Sequence, residues 1–577
     1  MCFRWLAISL FLSTAPAPAA ARPLTWWIAN PLTKVRPQDP PPDSPRTSVD
    51  LHAGRNEFEP FQLVLRGGEK DLTGLDIEFS DFHAADGADI SKENITVYFE
   101  QCVDVAKSSS SNGAAGRWPD PLIPRVDRYA HEKRNAFPFD LAPGHNQALW
   151  IEIYVPPSAR RGRYEGTARV LSKGAARFSV PVTLTVWGFK LPSTSTLRTS
   201  FGFNGTTALK QHRGRYTTDD DLYALTRLYT KAALLHRISI HGGSEVPPKY
   251  RYSNGHMQID WAPYDAEVGP FLDGTAIPAG EPLYGAQTTS VELRTPPSLD
   301  TEDQQTAWWK AWAGHFRKAG WSDRLFLYLW DEPRAADLPK VLARGRLAAA
   351  ADPSIPTLVT LPFSSQLADV VRIWVPLVNC LEPKPGYDDF CEQAPGLDAY
   401  RGRDLWFYQS CASHGCNIAG GAYFAGWPSY MIDVPAPANR VMQWVAWKYR
   451  VRGELYYSMD EAYSAAGDPW TNFRLFGGNG DGTLFYPGRP AQIGGTTDIP
   501  IESIRLKLIR EGMEDYEYLV LLDRLAGRQT ADRFGDRIVQ KPFLWENNPE
   551  AFLNTRLDMG ETLDRLASGV TGKLNGQ

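Results

Sequence analysis

No block of lysine and arginine stands out in this chain, and its formal net charge is only −5 over 577 residues. A nucleic-acid partner is therefore not expected, because a phosphate backbone is held by clustered positive charge. His-Glu-x-x-His, Gly-x-Ser-x-Gly, the phosphate loop and the dinucleotide fingerprint are all missing. The glycine-rich tract at 477–482 (GGNGDG) has neither a phosphate-loop lysine nor dinucleotide spacing, and reads as a flexible loop entering a strand. The ten histidines are scattered, and only His241 falls at the end of a strand-like run. A lone histidine there is more often a hydrogen-bonded structural residue than a catalyst. No metal centre and no cofactor are expected.

Cysteine is sparse, at six. Cys2 lies in the leader, while Cys380, Cys391, Cys411 and Cys416 cluster. Neither local spacing is Cys-x-x-Cys and His414 is the only nearby histidine, which disfavours zinc. Of three connectivities, the local one is expected, Cys380–Cys391 with Cys411–Cys416, leaving Cys102 free. Long apolar runs are also lacking after the first two dozen residues, so no membrane span is expected. Those first residues carry Arg4, an apolar run at 5–12 and small residues at 15–21. Residues 1–21 thus read as a signal peptide, and the mature protein is expected to be exported and soluble, in the periplasm or outside the cell.

What is present is globular: 43% hydrophobic and 22% charged residues, in a chain too long for one domain. Aromatics reach 12%; their faces stack on sugar rings, and they also fill the cores of large barrels and sandwiches. From 22 to 192 short β-rich runs alternate with Gly/Pro/Asp turns, which predicts a β-sandwich. A tract at 107–138 breaks that pattern with SSSSNG and three prolines within 118–124, and reads as an irregular insertion that reaches a neighbouring domain. From 193 to 530 strands alternate with helices or long loops. Strand-like runs at 200–203, 238–241, 324–330, 356–360, 372–378, 404–409, 454–457 and 483–486 make eight, the count of a (β/α)8 barrel of TIM type. A helix at 301–319 starts on a capping box and carries Trp308, Trp312 and Phe316 on a core face. A strong helix is expected over 501–525, and 531–577 reads as a helical extension packed on the barrel.

The run Leu325-Phe-Leu-Tyr-Leu-Trp330 is a strand buried on both faces, and Pro333 ends it. Asp331 and Glu332 therefore sit where a buried strand emerges, the end at which barrels place their chemistry. The plain alternative is an exposed acidic turn capping the next helix. Glycoside hydrolysis needs a carboxylic acid for the departing oxygen and a second group for the anomeric carbon. Neighbouring residues on a regular strand point to opposite faces, so these two share a site only if the backbone leaves strand geometry. They are also too close for a water between them, which suits a substrate that supplies its own nucleophile.

The stretches 318–333 (KAGWSDRLFLYLWDEP), 444–456 (WVAWKYRVRGELY), 479–488 (NGDGTLFYPG) and 501–519 (IESIRLKLIREGMEDYEYL) resemble glycoside hydrolase family 123, part of the group once catalogued as domain of unknown function 4091. Residues 55–62 (RNEFEPFQ) and 155–166 (VPPSARRGRYEG) resemble the family's sandwich. The resemblance implies a β-sandwich followed by a (β/α)8 barrel, and β-N-acetylgalactosaminidase activity by the substrate-assisted route. It implies that Asp331 orients the 2-acetamido group and that Glu332 is the general acid/base. The expected partner is an oligosaccharide or glycan containing N-acetylhexosamine. Trp374, Trp406, Tyr408 and Tyr457 lie on predicted strands and are candidate sugar platforms, or barrel core. Arg505, in the first turn of the 501–525 helix, faces the site or forms a surface ion pair with Glu502. A second acidic pair, Asp460 and Glu461, offers a conventional retaining route in which one of them is the nucleophile and Glu332 the acid. A non-catalytic carbohydrate-binding or envelope protein that kept the fold is the reading from another class.

Overall fold

The computed structural model describes residues 24–241, 247–387, 391, 395–416, 421–465 and 467–574. The leader expected at 1–21 lies outside them. The N-terminal part, up to Lys190, is sheet-rich because its strands alternate. In Ala175–Lys190, Val180, Val182, Leu184 and Val186 are buried and the residues between them face outward. One sheet runs Thr25–Ala29, Glu57–Arg66, Asn146–Val155, Ile95–Val105, Gly116–Pro124, Ile499–Ser503, Phe485–Gly488, with antiparallel neighbours throughout. The second runs Val49–Arg55, Ala175–Lys190, Gly162–Ser172, Leu72–Phe79, Phe139–Leu141, with two short strands attached. Phe61, Leu63, Ile151 and Ile153 of the first meet Ile77, Val170, Val182 and Leu184 of the second in one core.

Eight parallel strands follow: β1 Arg198–Gly202, β2 Ile240–His241, β3 Val291–Glu292, β4 Leu325–Trp330, β5 Thr357–Val359, β6 Ile373–Trp374, β7 Asp404–Gln409 and β8 Gly453–Tyr456. Their order is β2-β1-β8-β7-β6-β5-β4-β3, a nearly closed barrel whose seam lies between β2 and β3. Phe326, Leu358, Ile373, Trp406, Tyr408 and Leu455 fill its inside. Leu325, Leu327, Leu329, Val359, Leu405 and Phe407 face outward into the helical layer. The helix Glu302–Ala319 begins at the expected Thr301/Gln304 capping box and buries Trp308, Trp312 and Phe316.

Several expectations are corrected. The eighth barrel strand is not the run at 483–486: Phe485–Gly488 pairs with Ile499–Ser503, which pairs with Gly116–Pro124 of the first sheet. The missing barrel strand is β3, within a tract that reads as loop because two residues carry no periodicity. The range 193–530 is thus not all barrel. The helix begins at Ile504, not 501, because Ser503 is its N-cap and accepts the Leu506 N–H. The insertion at 107–138 contains the strand Gly116–Pro124, which pairs with Ile95–Val105 across a register shift. It also makes the expected crossing: Ser109 Oγ donates to Asp433 Oδ1 (2.5 Å) and accepts the Asn479 N–H (2.7 Å). The C-terminal extension is not confined to the barrel. The helix Pro549–Leu574 crosses the second sheet so closely that a Cβ on Gly560 would lie 2.0 Å from the Trp187 ring, and Asp564 binds Arg161.

The helix Ile504–Ala526 is buried on nearly all sides between sheet and barrel as far as Val520, and only its last turn is exposed. Leu508, Leu519 and Leu522 form the expected apolar face. The opposite, charged face meets charge: Glu152 of the first sheet takes Lys507 (3.1 Å) and Arg510 (2.6 Å), and Asp515 takes Arg440 (2.7 Å) and Arg556 (2.6 Å). No helix among the described residues is long and apolar enough to cross a membrane.

Glu100 is the exception to this pairing. It is buried, neither carboxyl oxygen meets a donor among the described residues, and burial pushes its pKa from 4.5 up to about 8. Between those values the unfolded chain has released a proton that the folded chain retains, so this residue makes stability fall as pH rises from about 5 to 8. Glu100→Gln is expected to flatten that slope by on the order of a few kcal/mol. Urea-unfolding midpoints of both proteins at pH 5 and pH 8 check it; parallel pH profiles would sink it.

Candidate functional site

The C-terminal ends of the barrel strands form one mouth, and β4 delivers two carboxylates to it. Tyr328 follows Phe326 on the inner face, and the chain then breaks from strand geometry at once. Glu332 has a φ of +43°, a left-handed conformation that is rare for a side chain of its size and that needs support from the surroundings. Thr360, just beyond β5, provides that support: its hydroxyl oxygen accepts the Glu332 N–H (2.6 Å), and the hydroxyl donates to Asp331 Oδ1 (3.0 Å). Tyr328 OH also donates to Asp331 Oδ1 (2.7 Å). On the other side, Tyr408 OH, from the end of β7, donates to Glu332 Oε1 (2.7 Å). The adjacent acids thus have separate holders, Asp331 on the β4–β5 side and Glu332 on the β7 side.

Both carboxylates are exposed, and Pro333 beneath them is buried. Burial, reinforced by the neighbouring carboxylates, raises the phenol pKa of Tyr328 and Tyr408. Both hydroxyls therefore remain donors at any working pH. Glu332, Thr360, Leu377, Tyr408 and the Cys380–Cys391 pair line an open cleft of about 390 Å³, within the range of small-ligand sites. The disulfides are the two expected local ones, and Cys102 is free. Among the described residues no group of three His, Cys, Asp or Glu could hold a metal ion.

The wall across the seam is polar. His241 at the end of β2 is buried and hydrogen-bonded to Ser200 (2.9 Å); burial, then the Arg294 charge, lowers its pKa to about 4, so it is neutral near pH 7. Glu292 is in register with Phe326 and so faces inward; burial raises its pKa, against the pull of Arg294 and Arg344. Glu292, Arg294, Thr360 and Tyr328 were not singled out from sequence. Tyr328 and Thr360 had a signal, the inward parity of β4 and a hydroxyl following a β-rich run. Glu292 and Arg294 had none, since β3 was not recognised.

The remaining candidates separate. Tyr408 is in the site. Trp406 is inward but deep: it packs edge-on against Phe326 (6.1 Å) and covers Gly453, where a Cβ would fall 2.2 Å from the ring. Trp374 faces outward against Phe363 (5.0 Å). Both are fully buried, which fits the core alternative. Tyr457 is half-buried just beyond β8, and burial, with the Asp481 charge, raises its phenol pKa. Asp460 is buried, accepts the Asn204 N–H (3.1 Å), and is pushed by burial to about 8. Glu461 opens the short helix Glu461–Ala465. Arg505 is not on the surface: it is fully buried, grips Asp120 through two bonds (2.9 and 2.8 Å) and donates to the carbonyls of Tyr430 and Gly480. Its expected partner Glu502 lies on a strand instead and pairs with Lys507.

Two family models and one solved structure agree with this layout. Residues 34–172 match the model of the glycoside hydrolase 123 N-terminal domain, and residues 288–522 match that of the glycoside hydrolase 123 catalytic domain. The second interval contains Asp331 and Glu332. A solved family 123 glycoside hydrolase from Clostridium perfringens, studied for glycolipid glycan hydrolysis, superposes with a TM-score of 0.66 at 14% identity, over 96% of this chain and 99% of that one. A Bacteroides ovatus glycoside hydrolase family 5 xyloglucanase bound to a heptasaccharide gives 0.28 at 10% identity, over 81% and 98%. A family 39 glycoside hydrolase from Bacteroides cellulosilyticus gives 0.26 at 10% identity, over 76% and 80%. No curated protein sequence matches.

Proposed function

The chain belongs to glycoside hydrolase family 123, and from that premise we propose that it is an exported enzyme cleaving N-acetylhexosamine-containing glycans, β-N-acetylgalactosaminides among them, by a substrate-assisted retaining mechanism. The sheet-rich N-terminal part is read as the family's β-sandwich and the parallel barrel as its (β/α)8 catalytic barrel. The glycan of a glycolipid, on which the Clostridium perfringens relative was studied, is a candidate substrate.

The observation that carries the mechanism is the left-handed turn at Glu332. It brings two adjacent carboxylates out at one barrel mouth, Glu332 in the lining of the cleft and Asp331 next to it, while different hydroxyls hold them. In the first step the acetamido oxygen of the substrate attacks the anomeric carbon, and the glycosidic C–O bond breaks. Asp331 accepts the acetamido N–H and orients it, and Glu332 gives its proton to the departing oxygen. In the second, Glu332 as carboxylate takes a proton from water, the water oxygen attacks the anomeric carbon, and the acetamido group is released. Two inversions leave the configuration retained. Asp460 is poorly suited to act as a nucleophile instead, since burial keeps its carboxyl protonated near pH 7.

An aryl N-acetyl-β-galactosaminide and an aryl β-glucoside, each offered to the purified protein, test the reading. Cleavage of the first and not the second is expected. Cleavage of the glucoside alone would remove the acetamido nucleophile from the mechanism. Sugar binding without turnover on any glycan would favour the non-catalytic reading.

A further inference from the structure

We propose that Phe476 is a stacking platform for the leaving sugar, a binding subsite on the β7–β8 side of the barrel mouth. The inference deepens the hydrolase reading and rests on it.

The strands Arg474–Leu475 and Gly478–Asn479 pair antiparallel around a two-residue turn, Phe476-Gly477. Both turn residues have positive φ, +47° and +87°. A turn of that kind favours Asn or Gly at its first position, and a bulky aromatic there is strained. Phe476 is also 40% exposed, so neither backbone preference nor core packing accounts for it. Strain held at an exposed aromatic is a feature of ligand clamps.

The hairpin is rigid and well placed. Asn479 is tied to the first sheet's insertion through Ser109 Oγ (2.8 Å) and the Lys107 carbonyl (2.8 Å), and Arg474 also donates to that carbonyl (2.7 Å). Next to it, Asp481 meets His414 (3.3 Å), on the loop that follows β7. The Phe476 ring stands 6.4 Å from that of Tyr457, which follows β8. The hairpin therefore overhangs the ends of β7 and β8. Glu332, as proton donor, must face the departing oxygen, and Tyr408 of β7 holds its carboxyl to this same side. The sugar that leaves with the oxygen thus lies towards Phe476, whose exposed face offers an apolar surface for the C–H face of a pyranose.

The test compares two substrates with the same N-acetylhexosaminyl group: an oligosaccharide, and the glycosyl fluoride, whose leaving group cannot stack. Phe476→Asn suits the turn better than the native residue, so the fold is kept while the ring is lost. Phe476→Asn is expected to lower kcat/KM for the oligosaccharide about tenfold, mainly through KM. The fluoride is expected to react as in wild type, the melting temperature to hold or rise, and Phe476→Trp to restore the oligosaccharide rate. Equal effects on both substrates, or none on the oligosaccharide, overturn the platform while leaving the hydrolase reading intact. Failure of the wild type on both substrates overturns the hydrolase reading, and the platform with it.

Discussion

Glu332→Gln is expected to reduce hydrolysis of an unactivated N-acetylhexosaminide by about 10²–10⁴-fold, the usual reach of general acid catalysis. The loss should nearly vanish for dinitrophenol release from a dinitrophenyl glycoside within one turnover, because that leaving group departs without a proton and the later attack by water, for which Glu332 is the base, is not read. Asp331→Asn should behave differently. It weakens the orientation of the acetamido nucleophile, which every substrate needs, so a loss of about 10²–10³-fold is expected on both. The two variants are nearly isosteric, and both positions are exposed, so changes in folding should not obscure the comparison. Single-turnover rates on the two substrates give the four numbers. The assignment of roles fails if Glu332→Gln loses as much on the dinitrophenyl substrate as on the natural one. It fails equally if Asp331→Asn is selective for the poor leaving group. Either result would exchange the two acids or put the nucleophile elsewhere in the cleft.

Arg505→Met is expected to cost about 3–5 kcal/mol of stability, as removal of one partner from a buried ion pair does. The side chain is fully buried. It joins three parts of the molecule: Asp120 on the first sheet, the Tyr430 carbonyl, and the Gly480 carbonyl at the foot of the Phe476 hairpin. Most of the cost comes from leaving the Asp120 carboxylate in the interior with, among the described residues, only the Tyr486 hydroxyl (2.6 Å) as donor. Asp120→Asn on the Arg505→Met background should therefore recover part of the loss, because an amide is cheaper to bury than an unpaired charge. Urea-unfolding midpoints of wild type, both single variants and the double variant measure the coupling. Additive single effects would mean that the pair is structurally incidental.

The sequence carried much of the site for a local reason. An apolar run that ends in Asp331-Glu332-Pro333 states, within nine residues, that a buried strand emerges beside two carboxylates. The capping box at Thr301, the aromatic face of Glu302–Ala319 and the local disulfides were legible on the same ground, since each is fixed by neighbours in the chain. The parts not foreseen depend on remote partners. Arg505 and Glu502 read as a surface pair because a helix with alternating charge usually faces water; here a second domain covers that face and brings Asp120 and Glu152 to meet it. Phe485–Gly488 reads as a barrel strand because an apolar run does not say which sheet it joins. Trp374 and Trp406 each read as barrel core or as a sugar platform, because their exposure depends on which face of the barrel each strand turns inward and how deep.

By itself, then, the sequence determined the sheet-rich N-terminal part, the barrel class and the acidic pair, which follow from periodicity and short-range pattern, and its motif stretches carried the family resemblance. Only the tertiary structure decided that Tyr328 and Thr360 hold Asp331 while Tyr408 holds the Glu332 carboxyl. It also decided that Arg505 is a tie between domains, and that an exposed phenylalanine on a positive-φ turn, Phe476, stands beside Tyr457 at the end of β8. Each of these joins residues distant in the chain, and closing such distances is the work of packing and not of local propensity.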